Sequence, residues 1–139
     1  LVMMYDNPLG MIEGLNLFGG YSWIDQFGDA RESYGYGAKY AVGGVTVGYQ
    51  VTNVDKSATD EDAVHYGASF AVNDDLTVSY GRQTVQLQGK ANDEINSGFS
   101  ASYTMGSMKL VGYVNKTENT AGASAATDEG KGVTLSISF

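Results

Sequence analysis

Cysteine is absent from the 139 residues, and proline occurs once, as Pro8. Without thiols the chain has no disulfide framework, no zinc ribbon and no cysteine nucleophile, although this leaves the compartment open. The one histidine, His65, has no second imidazole or thiolate to share a transition metal with, so it reads as a plain polar-face residue. Positive charge is scarce too. Eight Lys and Arg against sixteen Asp and Glu give a formal charge of -8 and a pI near 4.3, so the cationic stripe that a nucleic-acid backbone requires is missing. No apolar run approaches the ~20 residues of a membrane helix. That excludes helical insertion only, because a transmembrane strand needs about ten residues and is apolar on just one face. Neither a signal peptide nor an initiator Met is visible, and the chain reads as a mature product or a piece of one.

Chemistry-bearing motifs are equally thin. No Ser stands in a G-x-S-x-G elbow and no partner base has a sequence signature, so no catalytic residue is assigned and the chain is read as non-enzymatic. Gly43-Gly44 with Gly48 precedes a strand pattern rather than a helix, which excludes a phosphate-binding loop. Asp60-Glu61-Asp62 offers hard oxygen ligands that suit Ca²⁺ at a surface; a solvated acidic loop is the preferred reading, and no cofactor is assigned.

Glycine and aromatics are what the chain has in quantity: nineteen Gly, ten Tyr, five Phe and one Trp, a composition that suits short turns between strands. The last eight residues set the pattern. In G-V-T-L-S-I-S-F, Val133, Leu135, Ile137 and Phe139 alternate with Thr134, Ser136 and Ser138, so a strand would carry apolar groups on one face and hydroxyls on the other. Such a strand closes a membrane barrel, or else ends a soluble sandwich.

The same alternation recurs upstream. Leu1–Asp6 reads as a strand already running, and Leu15, Leu17, Gly19, Tyr21 and Trp23 form the next with Phe18 out of phase. Tyr34 to Val42 and Val45 to Val51 flank Gly43-Gly44, a two-residue hairpin signal because Gly accepts the positive φ of the primed turns. Val64 to Val72 and Leu76 to Tyr80 flank Asn73-Asp74; Phe99 to Tyr103 and Met108 to Val114 flank Met105-Gly106. A hairpin every thirty or so residues is an internal repeat. Short turns are expected at residues 7–14, 43–44, 73–74 and 105–107, and longer polar loops at 25–32, 55–62, 87–94 and 118–130. Outer-membrane barrels show this asymmetry of ends.

Opposite the apolar face stand Gly, Ser, Thr, Asn and Gln, which suit a water-filled lumen better than the charged outside of a soluble fold. Arg31, Lys39, Gln50, His65, Lys109 and Asn115 fall on this face and are the candidate pore-lining residues. Their bases either set a transverse field that steers solutes or balance charge in a wet lumen. On the apolar face Arg82 is the charged exception, placed either to reach headgroups or to follow a bulge. Tyr40, Phe70, Tyr103 and Phe139 lie near the short-turn end and Trp23, Tyr34 and Tyr36 near the long-loop end, as two interfacial belts would require; Tyr49, Tyr66 and Tyr80 fall between.

The fold expected is therefore all-β, a transmembrane antiparallel up-and-down barrel in which residues 1–139 form one segment of about eight to nine strands. Single-chain barrels have an even strand count, and a chain that starts mid-wall lacks the N-terminal part of its barrel. The alternative is a small closed eight-stranded barrel with no pore, acting as an anchor or adhesion module. A soluble sugar-binding β-sandwich is the third reading.

The runs Y-G-Y-G-A-K-Y-A-V-G-G-V-T-V-G-Y-Q, H-Y-G-A-S-F-A-V-N-D-D-L-T-V-S-Y-G and G-F-S-A-S-Y-T-M-G-S-M-K-L-V-G-Y, with the terminal Phe139, resemble successive hairpins of Gram-negative general-diffusion porins, the alphaproteobacterial type above all. The chain resembles the C-terminal half of such a protein. The resemblance implies a sixteen-stranded, usually trimeric channel in the bacterial outer membrane, in contact with lipid and lipopolysaccharide, for passive diffusion of ions and small hydrophilic solutes. No segment resembles the inward-folded constriction loop.

Overall fold

Alternating side chains, rich in Val, Tyr, Thr and Phe, leave the backbone little choice but a ladder of strands. The computed structural model describes residues 2–6, 12–26, 29–56 and 60–138. They form nine strands: β1 (Val2–Asp6), β2 (Leu15–Gln26), β3 (Asp29–Val42), β4 (Val45–Lys56), β5 (Glu61–Ala71), β6 (Leu76–Leu87), β7 (Glu94–Met105), β8 (Met108–Glu118) and β9 (Thr127–Ile137). Each pairs antiparallel with the next in one sheet of order β1 to β9, an open portion of a barrel. Neither a two-sheet sandwich nor a closed eight-stranded ring is formed by these strands, since β1 and β9 stand at opposite edges.

Turn chemistry fixes the register. Gly43 and Gly44 have φ of 56° and 81°, as a type I′ hairpin needs, and they set Val42 against Val45. At the next hairpin the Asn73 side-chain oxygen accepts from the backbone N–H groups of Asp75 (3.0 Å) and Leu76 (2.8 Å), an Asx turn that launches β6. Gly106, at φ 58°, turns β7 into β8.

Three expected loops are shorter than their polarity suggested; in the one at 55–62, Asp55 and Lys56 belong to β4 and Glu61 and Asp62 to β5. Over 25–32 the chain is largely strand, with Gln26 paired to Asp29; over 118–130 only 119–126 lie outside strands, because β9 takes up Thr127 to Gly130. Polar residues mark the wet end of a long strand as readily as they mark a loop, so hydropathy cannot place that boundary. The expected contrast in connection length between the two ends shrinks accordingly. The turn expected at 7–14 lies mostly outside the described residues, as does Phe139.

No conventional core exists among the described residues: the buried apolar side chains are Ala63 and Val85. Val47, Phe70 and Leu135 are instead 44, 45 and 58% exposed, each aimed away from the glycine-rich face. An apolar band so open to its surroundings is stable in hydrocarbon, not in water.

Candidate functional site on the polar face

Because a strand's side chains alternate and every pairing preserves parity, the register sorts the polar residues into rows that cross the sheet. One row runs Phe18, Gly37, Gln50, His65, Gln83, Asn96, Thr117, Asp128, each residue the Cα partner of the next. The row beside it, toward the short turns, runs Lys39, Gly48, Gly67, Gly81, Gly98, Asn115, Gly130. A third is hydroxyl-rich: Thr46, Ser69, Ser79 and Ser100, with Ser79 and Ser100 hydroxyls 2.9 Å apart. Four consecutive glycines thus lie between amides on one side and hydroxyls on the other.

The six candidate residues all fall on this face, but they do not form one cluster. Gln50 and His65 are direct partners. Lys39 and Asn115 flank the four consecutive glycines of the second row. Arg31 lies near the long-loop end, opposite Ile24, and Lys109 near the short turns, between Thr104 and Ser136. Sequence reasoning missed Gln83, Asn96 and Thr117; the parity of Thr77, Ser79 and Gly81, carried two residues further, was the available signal for Gln83.

Hydrogen bonds tie the row at its far end. The Thr117 hydroxyl donates to the Asn96 side-chain oxygen at 2.6 Å, and the Asn96 amide donates to Glu94 at 2.9 Å. His65 Nε2 lies 3.3 Å from the Thr52 hydroxyl. Glu94, on the loop side of the apolar band, also accepts from the backbone N–H of Ala121 at 2.7 Å. These two donors, Asn96 first, hold its carboxyl below the ordinary glutamate range. They also dock the segment 119–126 on the start of β7, helped by Asn119, whose amide donates to the Asp93 carbonyl at 3.0 Å.

Two aromatics stand on this face among the described residues. Phe18 covers Gly37 and Tyr113 covers Gly132, each ring occupying the space a neighbouring side chain would take. Two shallow depressions, of about 330 and 450 Å³, meet at His65.

The opposite face carries the candidate interface aromatics. Trp23, Tyr34, Tyr40, Phe70 and Tyr103 are all exposed there. Arg82 is not the lone charge: Lys116, Glu118, Glu129 and Lys131 share its face, with Lys116 paired to Glu118 at 2.5 Å and Glu129 opposite Lys116. Arg82, Lys116, Glu118 and Glu129 stand on the long-loop side of Phe99 and Val114, where charge facing lipid is less costly, and Lys131 stands level with these two, opposite Val114. Asp62 faces this side, bonded to Asn53, while Glu61 points to the other side, opposite Leu87.

The model of a family described as Gram-negative porin matches residues 2–122. Among solved structures the chain is similar to the outer-membrane expressed OmpT of Vibrio cholerae, with a TM-score of 0.57 and 13% identity, covering 88% of this chain and 50% of that one. The chain therefore spans about half the length of this structural neighbour, and a likeness at that identity shows the fold. No curated protein sequence matches. With nine antiparallel strands, an apolar outer face and a family match over most of its length, the chain belongs to the Gram-negative porins, proteins of the bacterial outer membrane.

Proposed function

We propose that this chain is about half of a sixteen-stranded wall around a water-filled channel, through which ions and small hydrophilic solutes diffuse passively. Its work is to keep a polar surface wet across the membrane, not to make or break bonds. The observation that carries this reading is the sorting of side chains by face: exposed Val, Tyr, Phe and Leu on one side, and Gly, Ser, Thr, Asn and Gln on the other. The first suits lipid and the second suits water. On this reading Arg31, Lys39, Gln50, His65, Lys109 and Asn115 line the channel, and the exposed aromatics sit at the membrane interfaces. Trimeric assembly, contact with outer-membrane lipid and lipopolysaccharide, and the alphaproteobacterial type rest on the sequence resemblance and complete the proposal. Planar-bilayer recording on the full-length protein tests it. Discrete conductance steps that persist under both polarities are expected; a purified, correctly inserted barrel that gives none would overturn the reading.

A further inference from the structure

We propose that the row Gln50, His65, Gln83, Asn96 and Thr117 is a binding track for short linear oligosaccharides, laid across β4 to β8 with Phe18 as an apolar platform at one end. The inference rests on the channel reading above. Three properties of the row support it. Adjacent strands lie about 4.7–4.9 Å apart, so the polar groups repeat at close to the length of one pyranose ring. Amides and hydroxyls each donate and accept, and a neutral imidazole does both through its two nitrogens, as sugar hydroxyls do. None of the five has a carboxylate, ammonium or guanidinium group; Glu94, bonded to Asn96, and Asp128, opposite Thr117, stand at the Thr117 end, so the stretch Gln50 to Gln83 itself offers a small ion no strong counter-charge.

The middle of the track is also free. Asn96 and Thr117 bond to each other, and His65 engages Thr52 through one nitrogen. The Gln50 and Gln83 side chains, on either side of His65, have no hydrogen-bond partner among the described residues. A ligand can reach them closely because the adjoining row beside them is Gly48, Gly67 and Gly81, with no side chain lying over these glycines, and the two depressions meet at this point. Phe18, in the same row, supplies the flat apolar surface against which the less polar face of a sugar ring packs.

The test uses the full-length protein in planar bilayers with maltotriose as the probe. Conductance is expected to fall along a saturating curve as maltotriose is added. Gln50→Leu with Gln83→Leu should raise the half-saturating concentration by roughly 10-fold, as expected for two neutral hydrogen bonds. Thr134→Ala, on the same face but outside the row, should leave it unchanged. If the leucine pair fails to insert, Gln50→Ser with Gln83→Ser keeps the wall polar, shortens both reaches and should give the same direction of shift. Channel steps with a conductance that declines without saturating would overturn the track and leave the channel standing. An unchanged half-saturation in inserted double variants would also overturn it. Absence of any channel step would overturn both readings.

Discussion

The Tyr113 side chain lies across Gly132 on the neighbouring strand, so closely that a Cβ at Gly132 would stand 2.5 Å from its hydroxyl oxygen. Gly37 is superficially alike, since its Cβ would stand 2.5 Å from Phe18 Cζ, but there the Tyr49 backbone carbonyl is equally close. The two glycines should therefore respond differently to a second substitution. Gly132→Ala alone should cost about 1–3 kcal/mol of folding stability as the ring is displaced, and Tyr113→Ala should relieve much of that cost. Gly37→Ala should cost at least as much and should not be rescued by Phe18→Ala, because a backbone carbonyl cannot rotate away. Urea unfolding of the four variants and the two double variants in lipid or detergent would read the difference. Equal rescue at both sites would refute it.

Charge placed on the two faces separates membrane from water directly. Ala68 faces outward between Val47 and Tyr80, and Ser69 faces the opposite side between Thr46 and Ser79. Ala68→Arg should destabilise insertion into bilayers by about 2–4 kcal/mol if it lies near the midplane, whereas Ser69→Arg should cost far less. Comparable costs at the two positions would contradict an apolar face turned to lipid.

Alternation made the faces legible from residues such as Tyr36, Val47, Phe70 and Leu135, since each strand carries its own record of which side is oily. The hairpin at Gly43-Gly44 was legible for a local reason: only residues tolerant of positive φ fit there. Strand ends near residues 25–32 were not, because Trp23, Ile24 and Glu32 stand where the strand leaves the membrane and the sequence turns polar before the backbone turns. The out-of-phase Phe18 had no explanation until the register set Gly37 opposite it, as it sets Gly132 opposite Tyr113. Rows are harder still. That Gln50, His65, Gln83 and Asn96 lie side by side depends on hydrogen-bond register across four strands, which alternating hydropathy fixes only as to face and turn geometry must complete.

On the proposed channel reading, fixed charge on the polar face should bias which ions pass. Lys39 stands on that face between Asn16 and Gly48, at the head of a row of four glycines, and the chain as a whole is at -8. Lys39→Glu should shift the reversal potential in a KCl gradient toward greater cation preference. The Debye length is about 10 Å at 0.1 M salt and about 3 Å at 1 M, so the shift should be larger in dilute than in concentrated salt. A shift of the opposite sign, or one independent of salt, would show that Lys39 is remote from the ion path.

The contact between Glu94 and the segment 119–126 should loosen in acid. Asn96 and the Ala121 N–H bond to the ionised carboxylate and hold its pKa below the ordinary value of 4.5. A group whose folded pKa is depressed stabilises the folded contact fully above its unfolded pKa and loses that contribution as pH falls through the lower, folded value. Docking of residues 119–126 should therefore be unaffected by pH from neutrality down to the usual glutamate range, and weaken below it. Amide hydrogen exchange at Ala121, corrected for the intrinsic pH dependence of exchange, reads this directly. Protection should drop on the acid side in the native protein, and Glu94→Gln should show weaker protection that no longer changes across the same interval. Protection at Ala121 that rises on acidification would contradict the assignment, because it would mean that the protonated form of Glu94 binds this N–H better than the carboxylate does.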